Sequence, residues 1–302
     1  MPQLPKIIVI VGTNASGKSG LGVELAKRYN GEIVSADSRQ VFQGLDLGSG
    51  KITKNEMKGI PHHLLDVRKA GDFFSMADFQ RMAYEAIDGI LARGRLPFLV
   101  GGTGLYVESV VEGYLLSGKT PDLRYRMELE KLDTDTLYAM LTEAVPDARV
   151  DPRNRNRVMR LLERAHAGDV RPQGRERRYD SLRLGVTWER GILCERIDER
   201  LRLRMANGML EEVRGLLRAG VSEDFLIGLG LEYRFLTRCL KGEYTNEEEM
   251  LALLSTAIKQ FAKRQMTWFR RDTGIRWLDM AGDPVAEAMG EMEGFLLEGC
   301  VR

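Results

Sequence analysis

Gly12-Thr13-Asn14-Ala15-Ser16-Gly17-Lys18-Ser19 has the spacing G-x-x-x-x-G-K-S. Residues of these types at this spacing bind phosphate. The glycines let the backbone fold tightly and aim N–H groups inward. A helix starting at the end of the loop adds partial positive charge. Lys18 brings a full charge to terminal phosphates, and the Ser19 hydroxyl can reach a phosphate or a magnesium ion. The pattern specifies phosphate, not which ester or which reaction. Asp37, in Asp37-Ser38-Arg39-Gln40, is a candidate reactive carboxylate. A turn or N-cap aspartate is the alternative reading of the same residue.

Positioning these groups takes strands that end together. Ile7-Ile8-Val9-Ile10-Val11 reads as a buried central strand, and Leu21 to Tyr29 as the helix leaving the loop. Strand, loop and helix together are the setting a P-loop requires. Glu32-Ile33-Val34-Ser35-Ala36 reads as a second strand ending at Asp37. Ligands of open α/β sheets sit outside the carboxyl ends of strands, which puts Asp37 beside the P-loop if the two strands are parallel neighbours. Phe74 to Arg93 has apolar residues at helical spacing, including Phe79, Met82, Ala83, Ile87 and Ile90. Leu96-Pro97-Phe98-Leu99-Val100 reads as the next buried strand. It ends in Gly101-Gly102-Thr103-Gly104-Leu105-Tyr106, not in the magnesium-holding aspartate usual for P-loop kinases. Asp66 is the only comparable carboxylate, so ATP is not the obvious ligand. The glycine-rich Gly44 to Lys51 lacks the flanks of a nucleotide loop. His62-His63 has no third ligand nearby and reads as a structural or hydrogen-bonding pair.

From Leu116 to Asp180 the strand–helix alternation stops. Arg124 to Leu132 and Asp135 to Glu143 read as short helices, and Pro146, Pro152 and Pro172 punctuate the remainder of the stretch. Ten arginines stand against four acids between Arg149 and Arg178. At helical spacing Arg157, Arg160 and Arg164 share one face, opposite Val158, Leu161 and Leu162. In a chain of net charge +1 this local stripe reads as a phosphate-backbone contact rather than a solvated face. Ser181 to Trp188 reads as a returning strand, Ile192 to Arg218 as one long helix, and Met250 to Arg271 as another. Trp277 begins a last strand, and a helix follows Pro284. The expected fold is α/β: a P-loop NTPase-like parallel sheet flanked by helices, with a mainly helical insertion domain. Residues 1–115 and 181–302 form the catalytic core and 116–180 the arginine-rich insertion.

The 302 residues, 43% hydrophobic and 29% charged, are ordinary for a globular protein. Cys194, Cys239 and Cys300 form no CxxC pair, which argues against a zinc site or disulfide framework and suits a reducing cytosol. No apolar run is long enough to span a membrane.

The ordered set of blocks resembles the tRNA dimethylallyltransferase, or isopentenyl-diphosphate:tRNA transferase, family over Ile7 to Asp279. The blocks are the P-loop; Asp37-Ser38-Arg39-Gln40-Val41-Phe42 with Gly44 to Lys51; His62-His63-Leu64-Leu65-Asp66; Gly101 to Tyr106; and Ala262-Lys263-Arg264-Gln265 with Thr267-Trp268. The resemblance implies transfer of the dimethylallyl group of dimethylallyl diphosphate to N6 of adenosine 37 of tRNA, next to the anticodon. It implies that Lys18, Ser19 and the P-loop amides hold the leaving diphosphate with magnesium on Ser19. It implies Asp37 as general base, Thr103 near the reacting centre, and the flipped base meeting Asp37 to Gln40. Asn156-Arg157-Val158-Met159-Arg160 matches an RNA-contacting strip, with Arg124 and Arg126 as lesser candidates. The expected partners are a tRNA anticodon stem-loop and the prenyl diphosphate, with the protein a cytoplasmic monomer.

Three departures stand out. Thr13-Asn14 replaces the family's usual Pro-Thr. Glu232 stands where the family's Ile-Gly-Tyr-Lys/Arg run has glycine. Leu229 occupies the place of a diphosphate-binding arginine of some members, with Arg234 or a residue of the last long helix as the expected substitute. The rival readings are an adenylate isopentenyltransferase acting on free nucleotide, a small-molecule P-loop kinase, and a non-catalytic RNA-binding protein.

Overall fold

The computed structural model describes residues 3–116, 122–169 and 174–298. The expected Pro172 punctuation and Cys300 lie outside these residues. The chain divides into two compact units, Met1–Gly113 with Arg177–Arg302, and Tyr114–Glu176.

In the first unit the β-branched run forms β1 (Lys6–Gly12), which leads through the loop into α1 (Lys18–Arg28) and then β2 (Gly31–Ser35). The short β3 (His62–His63) follows, then α2 (Met76–Ala92), β4 (Leu96–Gly101) and α3 (Gly104–Val111). Six parallel strands form one sheet in the order β3-β2-β4-β1-β5-β6, the last two being β5 (Asp180–Thr187) and β6 (Ile275–Asp279). Alternate residues of β1 face opposite layers. Ile7, Val9 and Val11 pack with Phe79, Ile87 and Val110 of α2 and α3, whereas Ile8 and Ile10 pack with Leu21 and Leu25 of α1. That is why the whole run is apolar.

β2 does not adjoin β1, because β4 lies between them. Asp37 and the P-loop still meet, since all three strands end level: Val11 pairs with Gly101, and Ser35 with Val100. A glycine makes this possible. A Cβ on Gly101 would lie 2.1 Å from the Ala36 carbonyl oxygen, a backbone atom. Gly101→Ala is therefore expected to destabilise the protein by about 3 kcal/mol, the upper end for overpacking. Denaturant unfolding measures this, and an unchanged midpoint would contradict the level packing of β2 and β4.

The second unit contains α4 (Leu123–Glu130), α5 (Thr134–Ala144) and α6 (Arg155–His166), packed around Leu129, Leu137, Leu141, Val158, Met159 and Leu162.

The first unit continues with α7 (Arg190–Ala206), α8 (Met209–Arg218), α9 (Glu223–Leu229), α10 (Leu231–Leu240), α11 (Glu247–Phe269) and α12 (Pro284–Leu297). The single helix expected from Ile192 to Arg218 is two helices. Gly208 at φ +94° breaks it, where a left-handed backbone suits glycine. Helices α9 and α10 occupy a stretch in which no element was expected.

Candidate active site

The P-loop is held from outside. The Ser16 hydroxyl donates to Thr13 O at 2.8 Å, Trp188 Nε1 to Ser16 O at 3.0 Å, and Arg196 Nε to Ala15 O at 3.1 Å. The first turn of α1 has no side-chain cap. The N–H groups of Lys18, Ser19 and Gly20 thus have no intrahelical acceptor, which makes an anion site. Thr13 and Asn14 serve the loop through their backbone: Thr13 O also accepts from Lys18 Nζ at 3.2 Å, and Asn14 N–H donates to Gln265 Oε1 at 3.0 Å. Gln265, buried on α11, also donates from Nε2 to Gly102 O at 2.9 Å. It clamps the P-loop to the turn after β4.

Asp37 caps its own turn, with Oδ1 accepting from the N–H groups of Arg39 at 3.0 Å and Gln40 at 3.4 Å. No hydrogen bond engages Oδ2 among the described residues. One oxygen thus shapes the turn, as the turn reading expects, and the other faces the cleft-lining groups without a hydrogen bond of its own. Thr103 Oγ1 accepts from Ser38 N–H at 3.1 Å, tying the turn after β4 to the Asp37 strip.

Lys18, Ser19, Asp37, Gln40 and Thr103 line one open cleft. An adjoining recess shares Lys18, Ser19, Asp37 and Gln40 and adds the apolar Ile33, Ile52, Leu65 and Val100. One wall of the main cleft is the Ser49-Gly50 end of the glycine-rich loop. Glu212 holds that loop by accepting from the N–H groups of Asp46, Leu47 and Gly48. Asp66 is paired with Lys51 at 2.5 Å and lines neither space. His63 lies 2.6 Å from the buried Glu32, which also pairs with Arg93 and Arg95.

Burial pushes the half-buried Lys18 ammonium down to about 8; Asp37 raises it, and Arg200 and Arg204 lower it further. Any anion entering beside it would favour the charged form.

A family model described as IPP transferase matches residues 40–272. The tRNA dimethylallyltransferase 2 of Citrifermentans bemidjiense is 43% identical over 297 residues, covering 95% of each chain. The chain belongs to the IPP transferase family. The tRNA dimethylallyltransferase 2 of Syntrophotalea carbinolica is 44% identical, over 92% of this chain and 96% of that one. Among solved structures, the tRNA isopentenylpyrophosphate transferase of Bacillus halodurans superposes with a TM-score of 0.75 at 37% identity, covering 97% of both chains. A eukaryotic dimethylallyltransferase acting on tRNA superposes with a TM-score of 0.76 at 27% identity, over 91% of this chain and 74% of that one.

For an IPP transferase, the expected RNA strip needs correcting. Val158 and Met159 are buried in the core of the second unit. Arg164 turns to Asp169 at 3.2 Å and is mostly covered, and Arg160 reaches the buried Glu163 at 3.1 Å. Arg126 also pairs with Glu163. Acids in α6 and just beyond it occupy part of the stripe that helical spacing alone made continuous. Asn156, Arg157, Arg160 and Arg124 are exposed. Arg234 does not line the cleft; its Nε donates to Ile227 O at 3.1 Å. Glu232, noted in the sequence only as a departure, also lines the cleft; the residues missed from sequence are Arg196, Arg200 and Arg204. Their four-residue spacing in α7 was the available signal.

Proposed function

We propose that this IPP transferase moves the dimethylallyl group of dimethylallyl diphosphate to N6 of adenosine 37 of tRNA, next to the anticodon, and releases diphosphate. One observation carries the reading: the uncapped α1 N-terminus with Lys18 and Ser19 shares a cleft with Asp37 and Thr103. The allylic C–O bond breaks and its electron pair leaves with the diphosphate. The new C–N bond forms at N6, and the amine proton passes to Asp37. An aromatic amine is a weak nucleophile, so taking its proton as the bond forms speeds the step. Lys18 and the α1 amides stabilise the leaving oxygen. The apolar recess beside Lys18 suits the prenyl carbons. The target base leaves the anticodon stack to reach Asp37. Thr103 holds Ser38, and so the strip that meets the base.

Magnesium fits the donors present. It takes one or two protein oxygens together with substrate phosphate oxygens and water. The Ser19 hydroxyl would hold it, and it would neutralise charge on the leaving group. The reading includes a monomer in the cytoplasm; the free thiols Cys194 and Cys239 suit a reducing compartment. No helix among the described residues is long and apolar enough to cross a membrane.

The test is acceptor choice. Protein, magnesium and labelled dimethylallyl diphosphate are offered an anticodon stem-loop with adenosine 37, or free AMP, ADP and ATP. Label in the stem-loop is expected. Label only in free nucleotide would make the protein an adenylate transferase and return Arg157 and Arg124 to a solvated surface.

A further inference from the structure

Helix α7 presents Arg196, Arg200 and Arg204 at four-residue spacing, hence along one face. That face runs beside the P-loop. Arg196 binds Ala15 O, Arg200 Nη2 donates to Gly50 O at 3.3 Å, and Arg200 and Arg204 line the same cleft as Lys18. The Arg204 side chain is 16% exposed, and its Nη1 lies 3.6 Å from Glu232 Oε1. The other oxygen of Glu232 accepts from Arg39 Nη1 at 2.7 Å. Glu232 is itself buried.

One carboxylate therefore faces two guanidiniums. The residues lining the cleft include Lys18, Arg39, Arg200 and Arg204 against Asp37 and Glu232, which leaves two positive charges unbalanced. Like charges held close in a partly desolvated cleft favour an entering anion. The backbone makes room for the pair: a Cβ on Gly50 would lie 1.6 Å from Arg204 Nη2. Leu229, in contrast, packs among apolar side chains.

We infer that Arg204, oriented by the buried Glu232, is a diphosphate-binding residue of this protein and supplies the guanidinium that Leu229 does not. The inference rests on the cleft taking a prenyl diphosphate, as proposed above. A planar guanidinium can hold two phosphate oxygens at once, which a lysine cannot. Glu232 acts through Arg204 and Arg39 and is a positioning residue.

The full chain is titrated calorimetrically with inorganic diphosphate and magnesium, and separately with the anticodon stem-loop. Arg204→Ala is expected to weaken diphosphate binding about tenfold or more, as for a lost charge-assisted hydrogen bond, with stem-loop affinity kept. Arg204→Lys, which keeps the charge and guards against a folding defect, loses less. Glu232→Gln raises KM for dimethylallyl diphosphate more than it lowers kcat. Wild-type diphosphate affinity in Arg204→Ala overturns the inference, as does an equal loss for diphosphate and stem-loop. Wild-type protein that binds stem-loop but no diphosphate overturns the donor reading itself, and the inference with it.

Discussion

Asp37→Asn is expected to lower prenyl transfer about a thousandfold, within the range for loss of a general base. Asparagine keeps a side-chain oxygen where Asp37 Oδ1 accepts from Arg39 and Gln40, so the turn survives. What is lost is an oxygen able to take the N6 proton. Stem-loop affinity should therefore stay close to wild type. Single-turnover rates with pre-bound RNA separate the two effects. Undiminished turnover would remove Asp37 from the chemistry. Loss of turnover together with RNA binding would make it a structural turn residue. Loss of turnover with binding kept also rules out a non-catalytic RNA-binding protein.

Lys18→Met is expected to lower kcat/KM about a hundredfold or more, the scale for removing a charged stabiliser of a leaving oxygen. The pH dependence gives a second signature. In the free protein Lys18 titrates at about 8. Bound diphosphate favours the ammonium, so its pKa rises in the complex. Below about pH 8 the lysine is already protonated and binding takes up no proton. Above it, binding takes up one proton, so affinity falls by up to about tenfold per pH unit until the pKa of the complex is reached. Titrations from about pH 6.5 to 9.5 measure the slope, and Lys18→Met should abolish it. A pH-independent affinity in the wild type, or an unchanged slope in the variant, would place another group in contact with the diphosphate.

The local structure that depends on spacing was legible in the sequence. Ile7 to Val11 is buried on both faces, so its run needs no tertiary information to read as a central strand. The helix around Phe79 and Ile87 announced itself by period; the Ser75–Asp78 capping box that starts it is seen only in the folded chain. What depends on long-range pairing was not legible. The place of β4 between β2 and β1 is set by packing across Gly101 and Ala36. Gln265 is 251 residues from the Asn14 amide it accepts from. The break at Gly208 falls within a continuous amphipathic pattern, and a glycine inside such a pattern does not by itself end a helix. Along the arginine stripe of α6, Asp169 draws Arg164 inward and Glu163 pairs with the still exposed Arg160, which helical spacing does not reveal. The arginines of α7 were underread, because only the folded chain lays that face along the P-loop.

The central claim is that this P-loop grips a leaving group and transfers no phosphate. The most direct measurement uses dimethylallyl diphosphate labelled in both its prenyl carbons and its phosphorus, incubated with protein, magnesium and the anticodon stem-loop. Carbon label is expected on N6 of adenosine 37, with all phosphorus in free diphosphate. Phosphorus label in the acceptor, or carbon label absent from the RNA, would contradict it.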